Sequence, residues 1–164
     1  MMAMWRSLRR GSAFSADALI ATWFGVGLVP GAPGTAGSLA ALPFAWAIAT
    51  YLGPLGLAVA VAVAFVAGIW AADRYARKRG VADPGAVVID EVAGQWLALI
   101  LVPPSLVNYA IGFALFRLFD VIKPWPISAL DRSVKGGLGV MLDDLLAGAL
   151  AAILLWNAWI WVEP

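Results

Sequence analysis

The sequence predicts an all-α fold, a bundle of four to five membrane helices with one N-terminal interfacial helix. The chain is 63% hydrophobic and 13% charged, whereas soluble domains average about 45–50% and 25%. Its apolar residues form long uncharged runs separated by short Gly/Pro-containing or charged segments. Apart from Arg117, Lys and Arg are confined to alternate connections between these runs, as expected for cytoplasmic loops.

Residues 1–30 are predicted to be a basic N-terminus followed by the interfacial helix, which we place at residues 14–29. Three Arg side chains precede this helix. Asp17 interrupts the apolar stretch that a cleaved signal peptide requires, so we expect a retained cytoplasmic end. The remaining regions are a Gly-rich loop at 31–38 and a helical bundle at 39–161, and together all three form a single domain.

Five apolar runs are predicted membrane spans, and a span needs about 20 mostly apolar residues. The uncharged stretch 38–72 is divided by Gly53 and Pro54, which indicates a hairpin whose first arm is shorter than a full crossing. The predicted spans are residues 39–52, 55–72, 87–102, 106–122 and 140–161.

The composition excludes several kinds of chemistry. The chain has no Cys, which removes disulfides, zinc–thiolate sites and thiol catalysis. It has no His, which removes the commonest general base and any phosphohistidine intermediate. A net charge of +1 is too small to favour nucleic-acid binding. Carboxylates, hydroxyls, Lys, Arg and metal ions remain as the available catalytic groups.

The stretch VIDEVAGQW places two adjacent acids, Asp90 and Glu91, in an apolar run. Acids inside membrane segments usually serve a function. The loop charges place this pair at the cytoplasmic side, together with Asp120 at the end of the fourth span and Asp143 and Asp144 at the start of the fifth. Five converging carboxylates repel one another unless cations lie between them, and such oxygen ligands beside a phosphate favour Mg²⁺.

Helix spacing predicts close contact between the helices that carry these acids. Gly94 follows Asp90 by four residues, and Gly148 follows Asp144 by four. Residues four apart share a helix face, and small residues on that face let helices approach closely.

Basic and hydroxyl side chains at the same end suit an anionic ligand. Arg and Lys are common phosphate ligands. The stretch GAPGTAGS, residues 31–38, offers backbone N–H groups and hydroxyls at a helix start, which favours anions. Together these groups indicate phosphoryl chemistry on a lipid headgroup. The candidate phosphate-binding residues are Arg117, Lys123, Gly34, Thr35 and Ser38.

Each of these features also has a structural interpretation. Asp143 and Asp144 would cap the fifth helix, Lys123 would extend to the interface, and Arg117 with Asp120 would form an ion pair. The GAPGTAGS stretch would be a flexible connection. Their convergence on one side of the membrane favours the functional interpretation. The other acids are expected to be solvated or to cap helices: Asp17, Asp73, Asp83, Asp131 and Glu163.

Four stretches, in order, resemble the phosphatidylglycerophosphatase A family: GVGLVPGAPGTAGSLAALP, VIDEVAGQW, FRLFDVIKPWPI and GGLGVMLDDLLAG. The resemblance implies a helical, Mg²⁺-dependent phosphatase of phospholipid biosynthesis. Such an enzyme lies in the bacterial cytoplasmic (inner) membrane, with its active site facing the cytoplasm, and converts phosphatidylglycerophosphate to phosphatidylglycerol and phosphate. The site residues that the resemblance implies are Asp90, Glu91, Arg117, Asp120, Lys123, Asp143 and Asp144, followed by Thr35 and Ser38.

Our mechanistic hypothesis is attack of water on a phosphate held by one or two Mg²⁺ ions among the five acids. Arg117 or Lys123 neutralises charge on the phosphoryl oxygens, and Glu91 is the expected base. A covalent intermediate on an Asp or on Thr35 stays open. The catalytic assignments are Glu91, Asp90, Asp120 and Asp144.

Two other functional classes stay open at this point. An ion-coupled transporter would use intramembrane carboxylates, but it would favour acids near the bilayer midplane and internal repeats. A non-catalytic helical scaffold would use the charges only to lock helices together. We expect a phospholipid partner and no nucleic acid, and small residues at Ala147–Ala151 would permit a homodimer.

Overall fold

The computed structural model describes residues 15–82 and 84–162, and every regular element in these ranges is helical. The all-α prediction is therefore confirmed for this part of the chain. A 3₁₀ turn, Val26–Leu28, lies between the first two α-helices. In chain order the α-helices are α1 (Ala16–Ala21), α2 (Pro33–Arg79), α3 (Ile89–Ala98), α4 (Leu106–Ile122), α5 (Ile127–Ser133) and α6 (Gly136–Val162).

The predicted interfacial helix at 14–29 is replaced by two short pieces. α1 ends at Ala21, and the backbone then adopts positive φ angles of 46° at Trp23, 57° at Phe24 and 94° at Gly25. Left-handed residues cannot continue an α-helix, so the segment turns before the 3₁₀ helix begins. The three N-terminal Arg residues lie outside the described ranges.

α2 begins earlier than predicted and breaks in its middle. Pro33 occupies the first turn, where its fixed φ favours a helix and its missing N–H is not needed. The helix therefore includes most of the Gly-rich stretch that was expected to be a loop. At Gly53, φ is 67° and ψ is −170°, which divides α2 into two arms. Residues 33–52 extend about 30 Å at 1.5 Å per residue, enough for the crossing that 39–52 alone is too short to make.

The third predicted span, 87–102, contains a helix of only ten residues, α3. It is about 15 Å long, half of a hydrocarbon core of about 30 Å. α3 lies between α2 and α6, with Val92 and Ala93 fully buried. Trp96 donates its indole N–H to the carbonyl oxygen of Ala41 on α2, at 2.9 Å. The apolar sequence of α3 therefore reflects burial by protein rather than contact with lipid.

Two of the described helices, Pro33–Arg79 and Gly136–Trp161, are long and apolar enough to cross a membrane. The predicted count of four to five membrane helices is therefore not confirmed, although α4 has the bounds predicted for the fourth span. α2, α4 and α6 expose many large apolar side chains. An apolar surface of this extent is unusual on a soluble protein and fits a membrane-associated one. Examples are Tyr51, Leu55, Val63, Leu106, Val107 and Trp161.

α3 and α6 approach closely where Gly94 faces Gly148, as the spacing predicts. A Cβ atom added to Gly148 would collide with the carbonyl oxygen of Gly94. One added to Gly94 would lie 2.6 Å from the carbonyl oxygen of Asp144 and from the ring of Phe116. The two backbones thus pack directly on each other, which brings the first turn of α3 next to the Asp144 turn of α6.

The first testable consequence concerns this contact. Gly148→Ala should destabilise the fold by about 1–3 kcal/mol, because the added methyl group must push α3 and α6 apart. The measurement is thermal unfolding in detergent, followed by circular dichroism. Gly85→Ala is the matched control, since a Cβ there meets nothing within 4 Å. Equal melting temperatures for the two variants would contradict the close contact.

Candidate functional site

A cavity of about 680 Å³ lies at the end of the bundle where α2, α3 and α6 begin and α4 ends. This arrangement confirms that the predicted polar residues gather at one end. Ser38 is the exception, because it is fully buried rather than exposed to the cavity. The predicted residues that line the cavity are Gly34, Thr35, Asp90, Glu91, Arg117, Asp120, Lys123, Asp143 and Asp144.

Three carboxylates form a compact group in this cavity. Asp90, Glu91 and Asp144 each offer one oxygen atom, and these atoms lie within 4.8 Å of one another. One oxygen of each acid is buried and has no hydrogen-bond partner among the residues that the structure describes. Buried anions this close repel strongly, and a divalent cation between them would offset that repulsion. Oxygen-only ligands fit Mg²⁺, Ca²⁺ or Mn²⁺, so this group can hold a divalent metal.

The other two acids expected to bind metal are paired with basic side chains. Asp120 Oδ2 lies 2.6 Å from Arg117 Nη1, one helical turn away on α4. Asp143 Oδ2 accepts a hydrogen bond from Lys123 Nζ. These contacts match the ion-pair interpretation, yet both acids also line the cavity. Their assignment as metal ligands stays a prediction.

Arg117 connects α4 to the first turns of α2. Its Nη1 atom lies 3.5 Å from the hydroxyl oxygen of Ser38, which itself donates to the carbonyl oxygen of Gly34 at 2.9 Å. A Cβ atom on Gly34 would collide with Oε1 of Glu91 and lie 3.1 Å from Nη1 of Arg117. Only glycine therefore fits at this position without displacing a site side chain. Ser38 therefore contacts Arg117 from the buried side, away from the cavity. It was expected to contact the phosphate, and its hydroxyl does not line the cavity where a phosphate would bind.

Lys123 lies between two acids from different helices. Besides Asp143 on α6, it contacts Asp131 on α5 at 2.9 Å. Burial alone would lower the pKa of Lys123, but these ion pairs outweigh it and hold the pKa above its usual value. The hydrogen bond from Lys123 likewise holds the pKa of Asp131 below its usual range. Lys123 is therefore a fixed positive charge at the cavity.

The sequence analysis missed two charged residues of the cavity, Asp131 and Lys135. Asp131 was expected to be solvated or to cap a helix, and Lys135 appeared only as a loop charge. Both reach the cavity because α5 turns the chain back between α4 and α6. Lys135 Nζ also donates to the carbonyl oxygen of Asp131 at 3.1 Å. Helix spacing carries no signal for either residue, since the turn separates them from α4.

Two further acids fix the helices around the site. Asp17 is buried rather than solvated, and it pairs with Lys78 at 2.7 Å and Arg74 at 3.8 Å, tying α1 to the end of α2. Asp73 caps as expected, accepting the backbone N–H of Gly137 at 2.6 Å, which joins α2 to the start of α6. The other two acids expected to be solvated or to cap helices, Asp83 and Glu163, lie outside the described residues.

Comparison with known proteins gives consistent matches. The sequence profile of the family described as phosphatidylglycerophosphatase A matches residues 19–159. Phosphatidylglycerophosphatase A of Escherichia coli is 42% identical over 84% of this chain and 80% of its own length. The protein of that name from Haemophilus influenzae is 34% identical over 94% of this chain and 96% of its own.

A third relative, from Bacteroides thetaiotaomicron, is named a putative phosphatidylinositol-3-phosphatase. It is 43% identical over 84% of this chain and 89% of its own length. No solved structure gives a significant match. Because the family profile covers α2 to α6 almost completely, with every predicted cavity residue inside it, the chain belongs to the phosphatidylglycerophosphatase A family.

Proposed function

We propose that this protein removes the terminal phosphate of phosphatidylglycerophosphate, giving phosphatidylglycerol and phosphate, with Mg²⁺ as cofactor. The observation that carries the proposal is the group of three unpartnered carboxylates beside Arg117 and Lys123 at one end of an apolar bundle. The names of the relatives in Escherichia coli and Haemophilus influenzae support the choice of substrate.

The charge of the cavity supports a role for metal. Its lining contains six acids and three bases, so a phosphate monoester would meet an excess of negative charge. Asp90, Glu91 and Asp144 would hold the Mg²⁺, with Asp120 and Asp143 as further predicted ligands. When bound, Mg²⁺ supplies positive charge that offsets this excess and polarises the phosphoryl group.

Basic and backbone groups around the acids would bind the phosphate. Arg117 has five N–H donors, and its contacts with Asp120 and Ser38 both use Nη1, so other donors stay available for phosphoryl oxygens. Lys123 adds a fixed positive charge. Thr35 and the N–H groups of the first turn of α2 complete the site, because a helix N-terminus favours anions.

Glu91 is the best-placed base among the three acids, because it is only partly buried whereas Asp90 and Asp144 are buried. In the proposed reaction, water attacks phosphorus in line and a new O–P bond forms as the bond to the glycerol oxygen breaks. Glu91 takes a proton from the attacking water and later releases it to solvent, and the departing glycerol oxygen takes up a proton from solvent. Arg117 stabilises the charge on the phosphoryl oxygens during transfer.

We place the cavity at the cytoplasmic face of the bacterial inner membrane. The end of α2 carries Arg74, Arg77, Lys78 and Arg79, and the segment that follows lines the cavity through Ala82 and Gly85. Basic loops stay on the cytoplasmic side. A lipid headgroup can reach this end while its acyl chains stay in the bilayer. An ion-coupled transporter is less well supported, because the acids share one cavity at one end of the bundle instead of lying mid-span.

The proposed role of the three-acid group can be tested by two isosteric substitutions. Asp90→Asn and Asp144→Asn should each lower kcat by at least about 100-fold, because each removes a charged oxygen ligand. Phosphate release from phosphatidylglycerophosphate in detergent micelles is the measurement. Asp73→Asn is the control, since an amide oxygen can still accept from Gly137 and Asp73 lies outside the cavity. Full activity of both site variants would contradict the proposal.

Metal dependence gives a separate test. Dialysis against EDTA should abolish phosphate release, and added Mg²⁺ should restore it, because the negatively charged cavity repels substrate without a cation. Melting temperature should fall with EDTA and recover with Mg²⁺, since binding stabilises the folded state. Turnover that persists in the chelator, with an unchanged melting temperature, would remove metal from the mechanism.

A further inference from the structure

We propose that an apolar groove between α2 and α4 binds one acyl chain of the lipid substrate and so positions its phosphate in the cavity. This proposal rests on the proposed function, since it assigns the acyl part of the same substrate. The groove has a volume of about 540 Å³. Its walls include Leu39, Leu42 and Trp46 from α2 and Tyr109, Ala110 and Phe113 from α4.

The groove continues directly from the phosphate end of the molecule. α2 begins at the cavity and α4 ends there, so the two helices are antiparallel and both extend away from the cavity on the same side. Arg117 bridges them at the level of Ser38. The next residue of α2, Leu39, and the residue one turn back on α4, Phe113, already belong to the groove. The polar cavity and the apolar groove are therefore consecutive along the same pair of helices.

The dimensions of the groove suit a hydrocarbon chain. From Leu39 to Trp46 and from Phe113 to Leu106, each wall extends about 10 Å at 1.5 Å per residue. α2 packs mainly on α3 and touches α4 much less, which leaves the gap open. Trp46 and Tyr109 meet across the gap in an edge-to-face contact, with ring centroids 5.0 Å apart. This aromatic contact holds the two walls at a fixed separation, so the groove is formed before a ligand arrives.

The covalent link between the phosphate and the acyl chain of a lipid determines which molecule can occupy the groove. A lipid whose phosphate lies beside Arg117 must leave the cavity along an apolar path. The groove begins within one turn of Arg117 and is bordered by exposed apolar residues such as Leu39 and Leu106. A chain that moves from the surrounding bilayer into the groove would gain van der Waals contacts with both walls. A soluble phosphate monoester would gain nothing there, so the groove would favour lipid substrates.

The test fills the groove without touching the cavity. Ala110→Trp adds a large ring to the groove wall, and Ile111→Trp adds the same ring to an exposed position outside it. The two substrates are dioleoyl phosphatidylglycerophosphate in mixed micelles and its water-soluble dibutyryl analogue. We expect Ala110→Trp to lower kcat/KM for the dioleoyl lipid by roughly tenfold or more, mainly through KM. The dibutyryl analogue, and both substrates with Ile111→Trp, should change by less than about twofold.

Three outcomes would overturn the groove proposal. Unchanged turnover of the dioleoyl lipid by Ala110→Trp would show that the chain lies elsewhere. An equal loss on both substrates would show damage to the cavity instead. An altered oligomeric mass in detergent for Ala110→Trp alone would identify the groove as a contact between two copies of the chain.

A labelling experiment separates this proposal from the proposed function and does not depend on the variant folding. Dioleoyl phosphatidylglycerophosphate with a photoactivatable group in one acyl chain should label peptides containing residues 39–46 or 106–113 of the wild-type protein. Label spread over the outer faces of α2 and α6 would overturn the groove. If neither lipid is hydrolysed by the wild-type protein while labelling of the groove persists, the proposed function fails and the binding site stands.

Discussion

Gly94 and Gly148 set the distance between α3 and α6, because no side chain separates their backbones at this point. One turn before each glycine stands an acid, Asp90 on α3 and Asp144 on α6. The close packing of the two helices therefore forces two buried carboxylates, with Glu91 beside them, into one small volume. Arg117, held by Asp120 and Ser38, lines the same cavity as this concentration of negative charge.

The remaining charges divide the cavity into two parts. Arg117 with Asp120, and Lys123 with Asp131 and Asp143, form ion pairs along the sides that α4 and α5 contribute. Each acid there belongs to an ion pair, whereas none of the ion pairs among the described residues includes Asp90, Glu91 or Asp144. The three-acid group at the α3–α6 contact can therefore bind a divalent cation, while the paired side carries Arg117 and Lys123, the proposed phosphate ligands. The ion pairs with Asp120, Asp131 and Asp143 also hold Arg117 and Lys123 in position when no ligand is bound.

The sequence predicts most of the site because loop charge and helix spacing are local signals. They place Asp90, Glu91 and Asp144 at the same end of the bundle. They do not predict that α3 is short, because burial by protein and burial by lipid require the same apolar composition. They also miss Asp131 and Lys135, whose position depends on the reversal of the chain at α5. Pro33 indicates the early start of α2, but the surrounding glycines favour a loop.

The shortness of α3 has a consequence for how the protein is made. A helix of ten residues cannot insert across a bilayer by itself, and the surface that shelters it includes α6, which follows it in the chain. The surroundings of Asp90 and Glu91 are therefore complete only after α6 has been synthesised. A nascent chain that ends before Asp144 has neither the third carboxylate nor the backbone contact at Gly148, so the three-acid group forms only after α6 has been made.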